Sequence, residues 1–69
     1  MRVGSLYRHY KGTVYQFLGL AKLESDLTTV VLYRQFDTPT GQVWVRPLAE
    51  WSQVVTHNGQ QVNRFSIYQ

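Results

Sequence analysis

The sequence lacks cysteine entirely, and it contains only two prolines and four acidic side chains among its 69 residues. Without cysteine, disulfide bonds and thiolate zinc sites are excluded, so the folding energy has to come from burial of apolar and aromatic side chains. No apolar run approaches the roughly 20 residues of a membrane-spanning helix, and no signal peptide is recognisable. We therefore expect a cytoplasmic protein that does not associate with membranes.

The chain length predicts a single domain that spans residues 1–69. A core of this size supports a stability of only about 3–5 kcal/mol, and small domains usually add a disulfide, a metal or a partner. Two Trp, five Tyr and three Phe provide much of the apolar surface that can be buried. Because no disulfide is available, assembly as a homodimer is the remaining way to bury more area.

Basic residues outnumber acidic residues by seven to four, which gives a net charge of +3. An excess this small is compatible with a nucleic acid partner, with an acidic peptide partner or with solubility alone. Most of the cations are arginines, whose planar fork suits phosphate and carboxylate groups better than a lysine ammonium does. The arginines are Arg2, Arg8, Arg34, Arg46 and Arg64.

Short runs of β-branched and aromatic residues, separated by turn residues, predict an antiparallel β domain. Gly19 interrupts the second run and is typical of a β-bulge or a barrel corner, whereas Asn58-Gly59 is the strongest two-residue hairpin signal. Residues 37–41 have the composition of a hairpin loop. The predicted strands are Ser5–Tyr10, Thr13–Leu23, Thr28–Phe36, Gln42–Arg46, Ser52–Thr56 and Gln61–Tyr68.

Residues 47–51 are the only segment with the chemistry of a helix start. Pro47 lacks the N–H that a strand ladder needs but suits the first position of a helical turn, and the segment is too short for a longer helix. Five or six short strands with one helical turn predict an all-β fold, a small antiparallel SH3-like barrel. An OB fold is less well supported, because nothing between the third and fourth strands can supply its helix.

Several longer motifs are specific: Tyr7-Arg8-His9-Tyr10-Lys11-Gly12, Leu18-Gly19, Val31-Leu32-Tyr33-Arg34 and Trp44-Val45-Arg46-Pro47-Leu48, followed by Asn58-Gly59 and Arg64-Phe65. With these motifs the sequence resembles DUF1653, a bacterial family of short proteins known only as a domain of unknown function. The resemblance implies a compact SH3-like β barrel and carries no activity. It marks as characteristic the positions Tyr7, Arg8, His9, Tyr10, Tyr33, Arg34, Trp44, Arg46, Pro47 and Arg64.

Two positions depart from the pattern of that family. The chain reads Lys22-Leu23-Glu24-Ser25 where the family usually has a basic residue followed by His-Ser-Glu, so any role of that histidine is absent or replaced. Asn63 stands where a proline commonly precedes the Arg-Phe pair, and this change affects only the local loop geometry.

The residue inventory argues against catalysis and metal binding. His9 and His57 are the only histidines, and neither has partners at the spacing of a metal site. No serine or threonine occupies a nucleophile motif, the carboxylates are scattered, and no Gly-rich loop precedes a helix. We therefore expect a protein that is not an enzyme and that holds no metal or cofactor, with His9 packed in a strand.

Arginine alternating with aromatic residues is the one pattern that indicates a ligand site. We predict that Arg8 and Arg46 lie close together and bind a phosphate or carboxylate. The predicted ligand-binding residues are Tyr7, Arg8, His9, Tyr33, Trp44 and Arg46. The pattern is typical of a binding module for an anionic partner, either a nucleic acid or nucleotide or an acidic protein segment. The alternative is a protein interaction domain with structural arginines, in which Glu50 reaches back to Arg46.

Overall fold

The computed structural model describes all of residues 1–69, as seven β-strands and one short helix. The strands are β1 (Leu6–His9), β2 (Val14–Lys22), β3 (Thr29–Gln35), β4 (Trp44–Pro47), β5 (Val54–His57), β6 (Gln60–Asn63) and β7 (Phe65–Ile67), and the helix is α1 (Leu48–Trp51). All strand pairs are antiparallel. Five strands form one sheet in the order β4-β3-β2-β1-β7, and β5 and β6 form a separate hairpin.

The long hairpin of β2 and β3 is the centre of the larger sheet. Its aromatic and β-branched residues suit a pleated surface that is covered on one face. Tyr15 lies opposite Gln35, and the register then slips by one residue between Phe17 and Gly19. Gly19 has a φ of 151°, a conformation that residues with a Cβ rarely adopt. The β-bulge predicted at Gly19 is therefore confirmed.

Pro47 ends β4 and leads directly into α1. Its missing N–H interrupts the ladder, and its φ of −53° suits the entry to a helical turn. The helix has a single turn, and Trp51 is its only buried residue. The helical turn predicted at residues 47–51 is confirmed. As the only helix of the chain, it is far too short to cross a membrane.

The β5–β6 hairpin turns at Asn58-Gly59, as the sequence predicts. Asn58 and Gly59 have positive φ angles of 52° and 76°, the pattern of a type I′ turn whose twist matches that of the strands. After the hairpin, the backbone N–H of Arg64 donates to the carbonyl of Gln53 at 2.9 Å. This bond ties the end of the hairpin to its own beginning and returns the chain to the larger sheet.

The core is largely aromatic and lies on one face of the larger sheet. Phe17, Val31, Tyr33, Trp51 and Phe65 form one buried cluster. Trp51 comes from α1 and the other four residues come from the sheet, so α1 covers the core. Partly buried residues packed around this cluster are Tyr7, Tyr15 and Leu48.

The predicted all-β antiparallel class and the single helical turn are confirmed. The strands number seven rather than five or six, because the predicted last strand divides at Arg64. Before that residue β6 pairs with β5, and after it β7 pairs with β1. The larger sheet does not close into a barrel, because β4 and β7 are its two open edges.

Replacing Gly19 with alanine tests the bulge. A Cβ at this position meets no atom within 4 Å, so the cost comes from the backbone conformation alone. We expect the free energy of unfolding to fall by about 1–2 kcal/mol in a urea titration. Ser66→Ala, an exposed strand substitution, is the control and should change it by less than about 0.5 kcal/mol. Equal values for the two variants would show that Gly19 carries no strain.

Candidate functional site

Strand alternation divides the larger sheet into two faces. Residues directly opposite each other share a face, and consecutive residues along a strand lie on opposite faces. We call the covered face the α1 face, and the strand pairings place on it Tyr7, His9, Tyr15, Phe17, Val31, Tyr33, Trp44, Arg46 and Phe65. The other face, the back face, carries Leu6, Arg8, Val14, Gln16, Leu32, Arg34 and Val45.

Two stacked rings, Trp51 and Phe65, support the site from below. Their centroids are 3.7 Å apart and their planes differ by 8°. Tyr33 meets Trp51 edge-on at 5.0 Å and Phe65 at 5.6 Å, and Tyr7 meets Trp51 at 5.3 Å. Edge-on and stacked contacts restrict each ring to one orientation, so the side chains above them rest on a rigid base.

Arg46 lies over this aromatic cluster and is held by three contacts. Its Nε donates to the Tyr33 hydroxyl at 3.3 Å, and its Nη1 donates to Oε1 of Glu50 at 3.3 Å. Its guanidinium carbon lies 6.0 Å from the centroid of the Phe65 ring. The predicted contact between Arg46 and Glu50 is confirmed. Because 29% of the Arg46 side chain and 51% of the Glu50 side chain are exposed, this ion pair is open to a ligand.

Arg64 is a second guanidinium beside the same carboxylate residue. Its Nε donates to the backbone carbonyl of Glu50 at 3.1 Å, and its Nη2 donates to Oε1 of Gln53 at 3.0 Å. The sequence prediction left Arg64 out of the site. The only sequence signal for Arg64 as a site residue was its position just before Phe65. The long-range pairing of β7 with β1 is what brings Arg64 to the site.

His9 packs against the edge of the aromatic cluster. Its ring meets Phe65 edge-on at 5.0 Å and lies against Tyr10 at 4.4 Å. Its Nδ1 accepts the backbone N–H of Lys11 at 3.1 Å. Because that nitrogen is an acceptor, the neutral ring carries its proton on Nε2.

The charges around His9 are mostly positive. Burial lowers the pKa of His9, and the nearby charges of Arg46, Arg64 and Lys11 lower it further. The only carboxylate paired with any of these cations is that of Glu50. These cations therefore add to the effect of burial, and they make this end of the α1 face positively charged.

Trp44 is the exposed aromatic residue of the α1 face. It lies opposite Tyr33 and two residues before Arg46, so its indole and the guanidinium project from the same face about 7 Å apart along β4. Its side chain is 53% exposed. Together the two side chains present a flat apolar surface next to a cation.

Five of the six predicted site residues share the α1 face, but they are not equally accessible. Tyr33 is buried, and Tyr7 packs against Trp51, so these two tyrosines support the site from within. The other three, His9, Trp44 and Arg46, reach the surface to different degrees. Ligand binding by these residues stays a prediction.

The predicted closeness of Arg8 and Arg46 is wrong. Arg8 lies between Tyr7 and His9 in β1, and the alternation of the strand sends its side chain to the back face. There its guanidinium carbon lies 5.6 Å from the centroid of the Tyr68 ring. A strand that presents Tyr7 and His9 to one face must present Arg8 to the other.

The exposed part of the α1 face, around Trp44 and Arg46, is an open surface and not a cavity. Two shallow cavities, of about 350 and 360 Å³, lie along the two ends of the β2–β3 hairpin and contain none of the predicted site residues. No three His, Asp or Glu side chains come together in a group that can hold a metal. An open face suits an extended partner better than an enclosed small molecule.

Residues 5–67 match the model of a protein family, DUF1653, which is described as a protein of unknown function. This chain belongs to the DUF1653 family. The resemblance found in the sequence motifs is therefore confirmed. The chain is also similar to the crystal structure of a DUF1653 protein from Bordetella bronchiseptica, with a TM-score of 0.81 and 34% identity over 100% of this chain and 87% of that one. No functionally curated protein matches it.

The stability of this DUF1653 domain should depend on the protonation of His9. The pKa of His9 is lower in the folded chain than its ordinary value of 6.5, so the unfolded chain binds the proton first as the pH falls. The free energy of unfolding should therefore decrease below about pH 6.5 and level off below the folded pKa. Urea titrations between about pH 7.5 and pH 5 measure this decrease. A decrease of the same size in His9→Gln would contradict the assignment.

Removing one cation tests why the pKa of His9 is low. Arg64→Gln takes away a positive charge near the ring, so the pKa of His9 should rise. Arg8→Gln is the matched control, because Arg8 lies on the back face, and it should leave the pKa of His9 unchanged. Proton NMR of the His9 ring against pH measures both values. Equal effects of the two variants would mean that burial alone accounts for the shift.

Arg46→Lys tests how far Arg46 is structural. Lysine keeps the charge but loses the Nε bond to Tyr33, so we expect the free energy of unfolding to fall by about 0.5–1.5 kcal/mol. The exposed pair with Glu50 adds little, and Glu50→Gln should cost less than about 1 kcal/mol. A loss above about 3 kcal/mol for Arg46→Lys would indicate a buried ion pair. Urea unfolding measures all of these changes.

Proposed function

We propose that this DUF1653 domain is a non-enzymatic binding module that recognises an anionic partner through the α1 face. The observation that supports this function best is the charge around His9, where Arg46, Arg64 and Lys11 meet only one paired carboxylate. A phosphate or carboxylate that approaches this surface lowers the electrostatic energy of all three cations. Arg46 is the central contact, because it is accessible and its Nη2 makes no hydrogen bond within the protein.

Between the two anionic partners, single-stranded nucleic acid is favoured over an acidic protein segment. Trp44 exposes an indole on the same face as Arg46, and every nucleic acid base can stack on an exposed indole. A base on Trp44 leaves its phosphate within reach of the guanidinium two residues further along β4. An acidic peptide gains the charge contact with Arg46 but has no comparable use for the indole.

The contacts that hold Arg46 in place favour ligand binding as well as the stability of the fold. The contacts to Tyr33 and Glu50 restrict the rotamers of Arg46 before any ligand arrives. A pre-organised side chain loses less conformational entropy on binding. Tyr7 and Tyr33 are assigned to this supporting role, while His9, Trp44 and Arg46 contact the ligand.

We also propose that the domain follows an SH3-like plan and acts in the cytoplasm. Short antiparallel strands, a first strand paired with the last, and a single helical turn support the SH3-like plan. SH3 domains bind extended partners across exposed aromatic residues, and the α1 face exposes one such residue, Trp44.

A protein interaction domain with structural arginines is the second candidate function. Arg64 already donates to the Glu50 carbonyl and to Gln53, and Arg46 already donates to Tyr33 and Glu50. If these bonds satisfy the arginines, Trp44 contributes an apolar contact to a protein partner instead. Binding would then depend little on salt.

Fluorescence anisotropy with labelled single-stranded oligonucleotides tests the proposed function, with a poly-glutamate peptide and free nucleotides for comparison. We expect Trp44→Ala and Arg46→Gln each to weaken oligonucleotide binding by at least about 5-fold. With two phosphates contacted, the affinity should fall with a slope near −1.4 in log–log plots against salt. Bound phosphate should also raise the pKa of His9, because it offsets the surrounding cations.

Arg8→Gln is the control for this experiment, because it removes the same charge from the back face. It should change the oligonucleotide affinity by less than about 2-fold beyond the general effect of net charge. Tighter binding of poly-glutamate than of the oligonucleotides would indicate that the partner is an acidic protein segment and not a nucleic acid. No binding of any anionic probe up to about 1 mM would reject the proposed function and leave the protein interaction domain.

A further inference from the structure

The strand β4 is an open edge of the larger sheet, and its side chains are exposed as well. Trp44 and Val45 are each 53% exposed, on opposite faces of the strand. Natural edge strands are usually protected by lysines, inward charges, bulges or coverage, because their free N–H and C=O groups can pair with another chain. β4 is itself short, with four residues, and two of them limit such pairing, because Pro47 has no N–H and Arg46 carries its charge on the α1 face.

We propose that β4 pairs antiparallel with β4 of a second copy of this chain, with the two-fold axis passing through Val45. The resulting dimer has a continuous ten-stranded sheet, made from the five strands of each copy. Antiparallel pairing of one strand with itself is an isologous contact, in which the same surface serves both copies. The inference does not depend on the anionic ligand.

On the α1 face, this register places Trp44 directly opposite Arg46 of the partner subunit. Residues equally far from the axis on either side face each other, so both Trp44–Arg46 pairs form at once. Directly opposite residues in a sheet have Cβ atoms about 4.5–5.5 Å apart, within reach of a cation–π contact. No arginine lies directly opposite another arginine, so the two charges do not oppose the pairing as nearest neighbours.

On the back face, the same register brings only apolar side chains together. Val45 meets its own copy at the axis, and Val43 lies opposite Pro47 of the partner subunit. Val43 and Val45 are both exposed in the single chain, at 38% and 53%. Their burial in the dimer is favourable because it removes apolar surface from water. The edge is therefore complementary to itself on both faces in one register.

The other edge of the sheet is less suited to such pairing. The strand β7 has only three residues, and its Phe65 is already stacked under Trp51 at 3.7 Å. The residue that precedes it, Arg64, is bonded to Glu50 and Gln53 and turns the chain away from the edge. By contrast, Trp44 and Val45 are each 53% exposed in the single chain.

The expected dimer is weak and reversible. Pairing of about five residues on each copy buries less than the roughly 1,200 Å² of a typical stable interface. We therefore expect dimers to appear between about 10 µM and about 1 mM protein. Because each copy carries a net charge of +3, added salt should favour the dimer, whereas it should weaken nucleic acid binding. Both properties use Trp44 and Arg46, and their opposite salt dependences distinguish them.

Sedimentation velocity of the full chain across this concentration range is the first test, with Val45→Lys as the disrupting variant. This substitution places two lysines next to each other at the axis and should abolish the dimer without disturbing the fold, because Val45 is exposed. Val54→Lys is the matched control, since Val54 is a strand valine with 56% exposure outside the interface, and it should leave dimerisation unchanged. A wild type that stays monomeric at about 1 mM overturns the inference, as do equal effects of the two variants.

Two further substitutions test the register itself. Trp44→Glu places a carboxylate opposite the partner's Arg46 and should preserve the dimer, whereas Trp44→Lys places two cations opposite each other and should weaken it at least about 10-fold. Both variants remove the indole, so their dimerisation constants should differ only if position 44 lies opposite position 46 of the partner. Equal dimerisation of the two variants excludes this register.

Cross-linking gives an independent measurement, because the chain has no native cysteine. A cysteine at position 45 meets its own copy at the axis, where opposite Cβ atoms are about 4.5–5.5 Å apart, at the upper limit of the roughly 3.5–4.5 Å that a disulfide spans. We expect Val45→Cys to form a disulfide-linked dimer under mild oxidation at about 100 µM, at least 10-fold faster than Val54→Cys. Equal cross-linking rates for the two variants, at a concentration where the dimer should be populated, would overturn the proposed pairing.

Discussion

The stack of Trp51 on Phe65 holds together a sheet that its own strands leave open. Trp51 follows β4 through α1, and Phe65 begins β7, so the two rings come from opposite edges of the sheet. Their ring centroids are 3.7 Å apart, so this contact links the two edges of the sheet, which no strand pairing joins. Aromatic rings bury about 150–250 Å² each, which makes this contact large relative to the small stability margin of such a domain.

The same rings also position the charged groups. Arg46 is held over Phe65 by Tyr33 and Glu50, and the place of Arg64 follows from its position next to Phe65 in the chain. A structural role and a recognition role for these arginines are therefore not exclusive. Guanidinium groups fixed by a core are better oriented toward a ligand than groups on a mobile loop. As a consequence, few substitutions of these arginines would change the stability of the fold without also changing the proposed recognition.

Local sequence signals predicted the local structure well. The bulge at Gly19, the turn at Asn58-Gly59 and the helical turn after Pro47 each depend on the backbone preferences of one or two residues. The contact between Arg46 and Glu50 followed from their spacing, because one helical turn brings the carboxylate back.

Long-range pairing explains what the sequence did not reveal. The division of the last predicted strand at Arg64 depends on β7 leaving the hairpin to join β1, and no local pattern encodes that choice. Arg64 was missed in the site for the same reason. The error about Arg8 is different, because strand alternation alone separates it from Tyr7 and His9. The spacing of this motif alone places Arg8 on the face opposite to Tyr7 and His9.

The pairing of β1 with β7 has a consequence for the order of folding. Tyr7 lies opposite Ile67, so β1 finds its outer neighbour only after the strands from β2 to β6 have been synthesised. Until Phe65 arrives, the β2–β3 hairpin carries an aromatic face without its final cover. Contacts between such distant segments slow folding, because a long loop must close before they form. The nascent chain therefore lacks the cover of Phe65 over Phe17 and Tyr33 until β7 has been synthesised, and chaperones that bind aromatic segments have that interval in which to act.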